Sequence, residues 1–177
     1  RYVVDPLTMQ AYSGQLRGAF TVELSPAPQM ALVLRASDLA LGDLAPFNAA
    51  MFQGARGALH GTIQLHATSK GLASFEGTFA VDAPGGAIGS AFLQGLLPYL
   101  PRTDERERLR RVIAQGQLVP FESGSVRVAV VDPQRIQAVL NMAIPEYNLV
   151  LSNVTMDIHL ESPDLLNQLF EMLGQLH

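Results

Sequence analysis

The sequence predicts an α+β fold dominated by a long, curved, mainly antiparallel β-sheet, with several short helices against or beside it. Three observations carry this prediction. Apolar and polar residues alternate over several long runs, turn residues separate consecutive runs, and shorter segments repeat apolar residues at helical spacing. Because strand side chains at i and i+2 share one face, each run predicts a strand with one apolar and one polar side.

The first half of the chain holds the clearest predicted strands. Residues 15–24 alternate, a Ser-Pro-Ala-Pro break follows, and alternation resumes over residues 30–34. Residues 57–68 and 73–82 alternate on either side of a turn at residues 69–71. Short loops that carry glycine are common in β-hairpins, so these two long runs predict one hairpin.

Further alternating runs lie in the second half of the chain. They cover residues 125–131, 147–151 and 154–160. The parity of the alternation changes at Ser152-Asn153. This change predicts either a two-residue hairpin turn or a bulge inside one strand.

Five segments predict helices. They are residues 43–52, residues 88–97, a helix capped by Thr103 and ended by Gly116, a helix that starts at Asp132-Pro133, and one that starts at Ser162-Pro163-Asp164. The last of these has the widest apolar stripe, formed by Leu165, Leu166, Leu169, Phe170, Met172, Leu173 and Leu176. That stripe must cover a sheet, a membrane surface or another subunit.

Composition narrows the class of protein. The chain has 177 residues, 48% of them hydrophobic, which suits one domain with a real core spanning residues 1–177, with a possible subdivision near 98–102. A net charge of −4 argues against nucleic acid as the main partner. Without cysteine, disulfides and thiolate sites are excluded, and no run of 18 apolar residues predicts a membrane span. Because the chain begins with arginine, we expect a processed product or a piece of a longer protein.

A glycine-rich stretch, VDAPGGAIGS, joins a predicted strand to a predicted helix at residues 81–90. Phosphate-binding loops have this order, but the G-x-G-x-x-G spacing and the P-loop lysine are both missing. The preceding run also alternates, whereas strands that lead into dinucleotide-binding loops are apolar throughout. We therefore expect these glycines to let the chain leave the sheet through positive φ, with no nucleotide bound.

Two sets of polar residues could carry chemistry. Asp157, His159 and Glu161 alternate on one strand face and could bind a metal or act as acid and base, although the polar side of a half-buried strand is usually just solvated. His60 and His66 also share a face, but six strand residues separate them by about 20 Å, too far for one metal ion. No cofactor and no metal are expected.

Five arginines cluster in and before the helix that begins at Thr103. They are Arg102, Arg106, Arg108, Arg110 and Arg111, with Asp104, Glu105 and Glu107 interleaved. Mixed charge of this kind usually marks a solvated helix face, stabilised by i,i+4 pairs. The functional interpretation is contact with lipid head groups or with an acidic partner.

The central segment resembles a known family. ASDLALGDLAPF followed by GARGALHGTIQLHATSKGLASFEGTFAVDAPGGAIG is similar to the AsmA-like superfamily of bacterial envelope proteins, which includes the YdbH and TamB-type proteins. The family pattern is a strand ending in Asp-Leu, an apolar helix, a G-x-L-x-G-x-I strand, a return strand and a Gly-Gly turn. The matching residues are Asp38, Leu39, Leu44, Gly57, Leu59, Gly61, Ile63, Gly77, Gly85 and Gly86. The likeness covers residues 32–89, whereas the arginine-rich helix and the last helix have no counterpart in it.

The resemblance implies a U-shaped β-groove with an apolar interior that binds phospholipid or another acyl-chain ligand. It implies a non-enzymatic role in lipid transport to the outer membrane, or in its maintenance, in the periplasm, with an inner-membrane anchor outside this sequence. The candidate groove residues are Leu59, Ile63, Leu65, Phe75, Phe79, Val81, Val126 and Val128. The same alternation also fits an ordinary sheet whose apolar face is covered by helices.

Two other functions remain open at this point. The first is a structural or protein-interaction module that uses its sheet edges and its last helix to bind a partner. The second is a small hydrolase or metal-binding protein built on Asp157, His159 and Glu161.

Overall fold

The computed structural model describes residues 1–11, 13–24, 26–46, 49–69, 71–101, 103–116, 118–132 and 135–159. Ten strands account for most of this chain. They are β1 (Tyr2–Ala11), β2 (Gly14–Glu23), β3 (Gln29–Ala40), β4 (Ala58–Thr68), β5 (Gly71–Val81), β6 (Gly86–Gly89), β7 (Leu118–Phe121), β8 (Ser123–Asp132), β9 (Arg135–Ile144) and β10 (Leu149–His159).

Eight of these strands form one open antiparallel sheet. Its order is β1-β2-β3-β4-β5-β8-β9-β10, so strands that follow one another along the chain are neighbours. Short turns join most consecutive strands, but short helical segments lie between β3 and β4, and β6, further helices and β7 are inserted between β5 and β8. Because antiparallel neighbours need only short connections, the alternating runs pair in the order in which they occur.

The short helices lie either before β4 or in the segment between β5 and β8, which we call the insertion. A 3-10 turn at Leu41–Leu44 and the single-turn α1 (Ala49–Phe52) connect β3 to β4. In the insertion, α2 (Ser90–Leu96) continues into a 3-10 turn at Leu97–Tyr99, and α3 (Asp104–Ala114) follows. The small β6-β7 pair frames these helices, because β6 enters α2 directly and β7 returns the chain to β8.

The main hydrophobic core lies between the insertion and one end of the large sheet. Leu93 and Leu96 of α2 and Leu109 and Val112 of α3 are all at most 2% exposed. They share one buried cluster with sheet residues of β5, β9 and β10, such as Leu151. A smaller cluster contains Leu16 of β2 and Ala36 of β3, far along the sheet from β9 and β10.

One predicted helix is wrong. Residues 135–144 form strand β9, although Asp132-Pro133 predicted the start of a helix. The segment RIQAVLNMAI satisfies both periods, because Ile136, Leu140 and Ile144 fit alternation as well as a helical stripe. The segment forms a strand because pairing with β8 on one side and β10 on the other satisfies the hydrogen bonds of its backbone N–H and C=O groups.

Other helix predictions need smaller changes. Residues 86–89 are strand β6, so the helix predicted over 88–97 begins only at Ser90. Thr103 occupies the N-cap position of α3, but its hydroxyl donates to Glu105 Oε2 at 2.7 Å and caps no backbone N–H. The helix predicted from Ser162 lies outside the described residues.

The glycines of the stretch at residues 81–90 act on the backbone, as expected. The N–H of Gly85 donates to the carbonyl oxygen of Asp82 at 2.8 Å, and Gly85 has φ +81°. A β-carbon on Gly86 would stand 2.0 Å from the carbonyl oxygen of Arg56. The first glycine therefore makes the turn, and the second lets β6 approach the segment before β4.

Candidate functional site: the open half of the apolar face

Most apolar side chains of the eight strands lie on the same face of the large sheet. Directly opposed residues of antiparallel strands share a face, so the register defines this surface. One row across the sheet consists of Leu16, Ala36, Gly61, Phe79, Val126, Leu140 and Val154. The apolar face is therefore continuous from strand to strand, as the alternation predicted.

The other face of the sheet is polar. Thr62 Oγ1 and Thr78 Oγ1 lie 2.8 Å apart across β4 and β5. Beside them, Arg127 Nη2 lies 2.7 Å from Glu76 Oε1, with both side chains well exposed. These contacts belong to a solvated surface, where ion pairs contribute little to stability.

The helices cover only one end of the apolar face. Val81 is 5% exposed and belongs to the main core, while Leu59 and Val126 pack against that core. These three predicted groove residues thus lie under the insertion. The ordinary alternative, a sheet covered by helices, describes this end of the molecule.

The other end of the same face has a different environment. Ile63, Phe75, Phe79 and Val128 are half-buried, and Leu65 is 6% exposed. None of these five predicted groove residues belongs to, or packs against, either buried cluster of the described residues. The helices α2 and α3 pack at the opposite end of the face, and Leu34, opposite Ile63, is 1% exposed without belonging to either cluster.

Six further residues extend this surface and were not predicted as groove residues. We define the open apolar strip as Phe20, Val22, Met30, Leu32, Ile63, Leu65, Phe75, Phe79, Val128, Val130 and Ile136. It crosses six neighbouring strands, from β2 to β9, and five strand spacings give a width of about 24 Å. The alternation over residues 15–24 and 30–34 indicates the first four of these residues. Ile136 was missed because the segment that starts at Asp132-Pro133 was predicted to be a helix.

Phe79 has a special place in the strip. Its Cδ1 would lie 2.7 Å from a β-carbon on Gly61, and its Cε2 would lie 2.9 Å from one on Gly77. The ring therefore occupies the space that side chains at these two glycines would fill. A β-carbon on Gly61 would also stand 2.1 Å from the carbonyl oxygen of Thr78. Glycine in a strand interior often marks such a close approach, which gives the second glycine of the G-x-L-x-G motif a physical reason.

The candidate acid–base set is only partly within the described residues. Asp157 is exposed on the polar face, where Gln137 Nε2 donates to its Oδ1 at 3.1 Å. The backbone of His159 pairs with Arg135, and Glu161 lies outside the described residues. Among the residues that the structure describes, no group of three His, Cys, Asp or Glu side chains could hold a metal ion.

The two histidines of β4 are also separate. His60 Nε2 lies 3.2 Å from Asp82 Oδ2, at the end of the sheet next to the insertion. His66 stands opposite Ser74, near the other end of the strand. Their positions agree with the long separation expected along a strand.

The arginines of α3 do not form one cationic face. Arg108 Nη1 donates to the carbonyl oxygen of Asn148 at 2.7 Å, and Arg110 Nη1 contacts Glu107 Oε1 at 2.6 Å. Arg106 is half-buried and its Nε has no hydrogen-bond partner among the described atoms, while Arg111 is exposed. Arg102 lies outside the described residues. At 100° per residue these side chains point around the helix, which favours the solvated-face interpretation.

No helix in the described part of the chain is both long and apolar enough to cross a membrane. Comparisons with family models, with curated proteins and with solved structures give no match to this chain.

Proposed function

We propose that this chain is a non-enzymatic lipid-binding domain whose open apolar strip holds the acyl chain of a phospholipid or a similar ligand. The observation that carries the proposal is a strip of eleven apolar side chains, about 24 Å wide, that the described helices leave uncovered. Ten of these residues are half-buried and Leu65 is 6% exposed, and a contiguous apolar face that the described helices leave uncovered is a candidate binding surface. Because the other face of the sheet is polar, an apolar ligand would bind only on the side of the strip.

The binding force in this proposal is apolar burial. Each Å² of acyl chain removed from water contributes about 25 cal/mol. The strip is wide enough for an extended chain to run across the strands, over Leu32, Ile63, Phe75 and Val128. Phe79 would contact the chain with the edge or face of its ring, held in place above its two glycines.

The biological setting in the proposal comes from the resemblance of residues 32–89 to the AsmA-like superfamily. In that setting the sheet forms one section of a U-shaped groove in the periplasm. Phospholipid would move along it passively, toward the outer membrane or in support of its maintenance, because a continuous apolar path lowers the cost of carrying a tail through water. A membrane anchor would belong to a part of the protein outside this sequence.

Native mass spectrometry of the gently purified protein tests lipid binding directly. We expect added masses that correspond to phospholipid or fatty acid, and we expect Val128→Asp to remove most of them. Val33→Asp is the matched control, because Val33 is 49% exposed on the polar face. Equal lipid occupancy in both variants, or a lipid-free wild-type chain that also fails to bind added lipid, would overturn the proposal.

A protein-interaction module is the second candidate, and one observation favours it. Strand β1 forms an edge of the open sheet, and its residues Tyr2, Val3 and Val4 are 68%, 54% and 48% exposed. Edge strands with apolar side chains can pair with a strand of another chain. A stoichiometric protein partner whose binding is lost in Val3→Pro, and unaffected by Val128→Asp, would favour this function over lipid binding.

A further inference from the structure

The chain leaves the sheet beside the open apolar strip. Strand β10 begins in the main core, where Leu149 is 1% exposed, and runs to the uncovered end of the sheet. Ile158, opposite Ile136 of the strip, is 42% exposed and is the last described apolar residue of this face. Residues 160–177 follow and lie outside the described residues.

The sequence of this C-terminal segment has a strongly amphipathic pattern. At 100° per residue, its seven large apolar residues from Leu165 to Leu176 fall within an arc of about 160°. The opposite arc holds Asp164, Asn167, Gln168, Glu171 and Gln175, with Gly174 between the two. Ser162 and Pro163 supply the residues preferred at a helix N-cap and at the first helical position.

We propose that residues 162–176 form a helix that docks on the open apolar strip of their own chain. Fifteen helical residues span about 22 Å. From β10 to β4 the sheet measures four strand spacings, about 19 Å. A helix that starts two residues after β10 can therefore reach the strip residues of β9, β8, β5 and β4, and its apolar arc meets the apolar face.

Charge favours this occupant over a membrane surface. Residues 160–177 contain Glu161, Asp164 and Glu171 and no lysine or arginine. Interfacial helices that bind anionic bilayers are rich in basic residues on the polar side, and three carboxylates would be repelled. Tethering favours the same chain over a second copy, because a short linker gives an effective concentration in the millimolar range.

Docking on this strip would also control the proposed lipid site. The helix and an acyl chain use the same side chains, so each would displace the other. This competition rests on the proposed function, whereas the docking itself does not.

Thiol labelling measures the docking without lipid. The chain has no cysteine, so Val128→Cys provides a single thiol in the strip and Val33→Cys a matched one on the polar face. In delipidated protein we expect the Val128→Cys thiol to react at least tenfold more slowly in the full chain than in a chain that ends at His159. The Val33→Cys thiol should react at the same rate in both.

A second pair of variants keeps the full length. In the Val128→Cys background, Leu169→Asp with Phe170→Asp disrupts the apolar arc and should restore fast labelling. Asn167→Asp with Gln168→Glu adds the same charge on the polar side and should leave labelling slow. If the shortened chain does not fold, as judged by circular dichroism, this pair alone decides.

Three outcomes contradict the docking, and a fourth separates it from the proposed function. Equal labelling of Val128→Cys in all chains means that the strip is open. Protection that rises with protein concentration indicates a second copy, and protection that appears only with anionic phospholipid vesicles indicates a membrane surface. Slow labelling of the lipid-free full chain, combined with no lipid binding by the shortened chain in native mass spectra, would leave the docking standing and reject the proposed function.

Discussion

Oδ1 of Asn141 in β9 accepts a hydrogen bond of 2.8 Å from the backbone N–H of Asn153 in β10. Asn153 lies at a bulge, where Leu151 and Val154 of β10 are three positions apart while their partners Met142 and Leu140 are two positions apart. The extra residue returns Val154 to the apolar face after Leu151. The bulge therefore explains the parity change at Ser152-Asn153 and excludes the hairpin turn.

Removing this acceptor should weaken the bulge. We expect Asn141→Ala to lower the free energy of unfolding by about 1 kcal/mol, because the Asn153 N–H loses its partner and the longer hydrogen bond from Asn141 Nδ2 to Ser125 Oγ is lost too. Urea denaturation followed by circular dichroism measures the change. Asn141→Asp keeps an acceptor oxygen, so a loss as large as that in Asn141→Ala would contradict this role.

A second contact should make stability depend on pH. The pKa of Asp43 is lowered from its ordinary value of 3.8, first because the Ser13 hydroxyl donates to Oδ2 and then because the Ser13 N–H does so at 3.0 Å. A lowered pKa contributes stability that is fully present above pH 3.8 and is lost as the pH falls through the folded-state value.

Ser13→Ala removes the larger of these two causes. We expect this variant to be less stable than the wild type at neutral pH, with a difference that shrinks as the pH falls well below 3.8. Urea unfolding at several pH values follows the difference. A gap between the two proteins that stays constant down to the lowest pH would show that the Asp43 charge is not involved.

Two glycines should respond differently to alanine. At Gly86 the new β-carbon would stand 2.0 Å from a backbone oxygen of Arg56, so β6 must shift, and we expect a loss of about 3 kcal/mol. At Gly116, with φ +64° and open space around it, only left-handed strain remains, about 1 kcal/mol. Thermal unfolding compares the two variants, and similar losses would be inconsistent with close approach at Gly86.

The contact of α3 with the sheet should carry much of the stability of the covered end. Leu109 is 0% exposed in the main core, so Leu109→Ala should lower the free energy of unfolding by about 2–5 kcal/mol. Leu118→Ala is the control, because Leu118 is 37% exposed and its truncation should cost about 0.5 kcal/mol or less. Equal losses, measured in urea, would mean that α3 packs loosely.

Local patterns predicted the strands and their faces because the spacing of apolar residues within a strand indicates which of its two faces is buried. The runs around Leu65 and Phe75 required one apolar side, and the turn between them required a hairpin. The same reasoning failed for residues 135–144, where Ile136 and Leu140 fit two periods at once. There the strand forms because the segment pairs with two neighbouring strands, and the sequence of the segment alone does not show this pairing.

The candidate site, too, was predicted only in part from the sequence. Alternation identified Ile63, Val81 and Val128 as members of one apolar face, and it could not distinguish Val81 in the core from Val128 in the open strip. That distinction depends on where the insertion between β5 and β8 folds back. The insertion covers the end of the sheet from which β5 leaves and to which β8 returns, because β6 and β7 pair beside that end.

The sequence by itself determined that this protein builds long antiparallel strands with one apolar and one polar side, since that property follows from residue spacing and strand geometry. Only the tertiary structure decided which half of the apolar face α2 and α3 cover and which half they leave uncovered. The physical reason is that covering a face requires a second layer. The position of that layer is set by chain connectivity and by the packing of side chains such as Leu93 and Leu109 against distant strands.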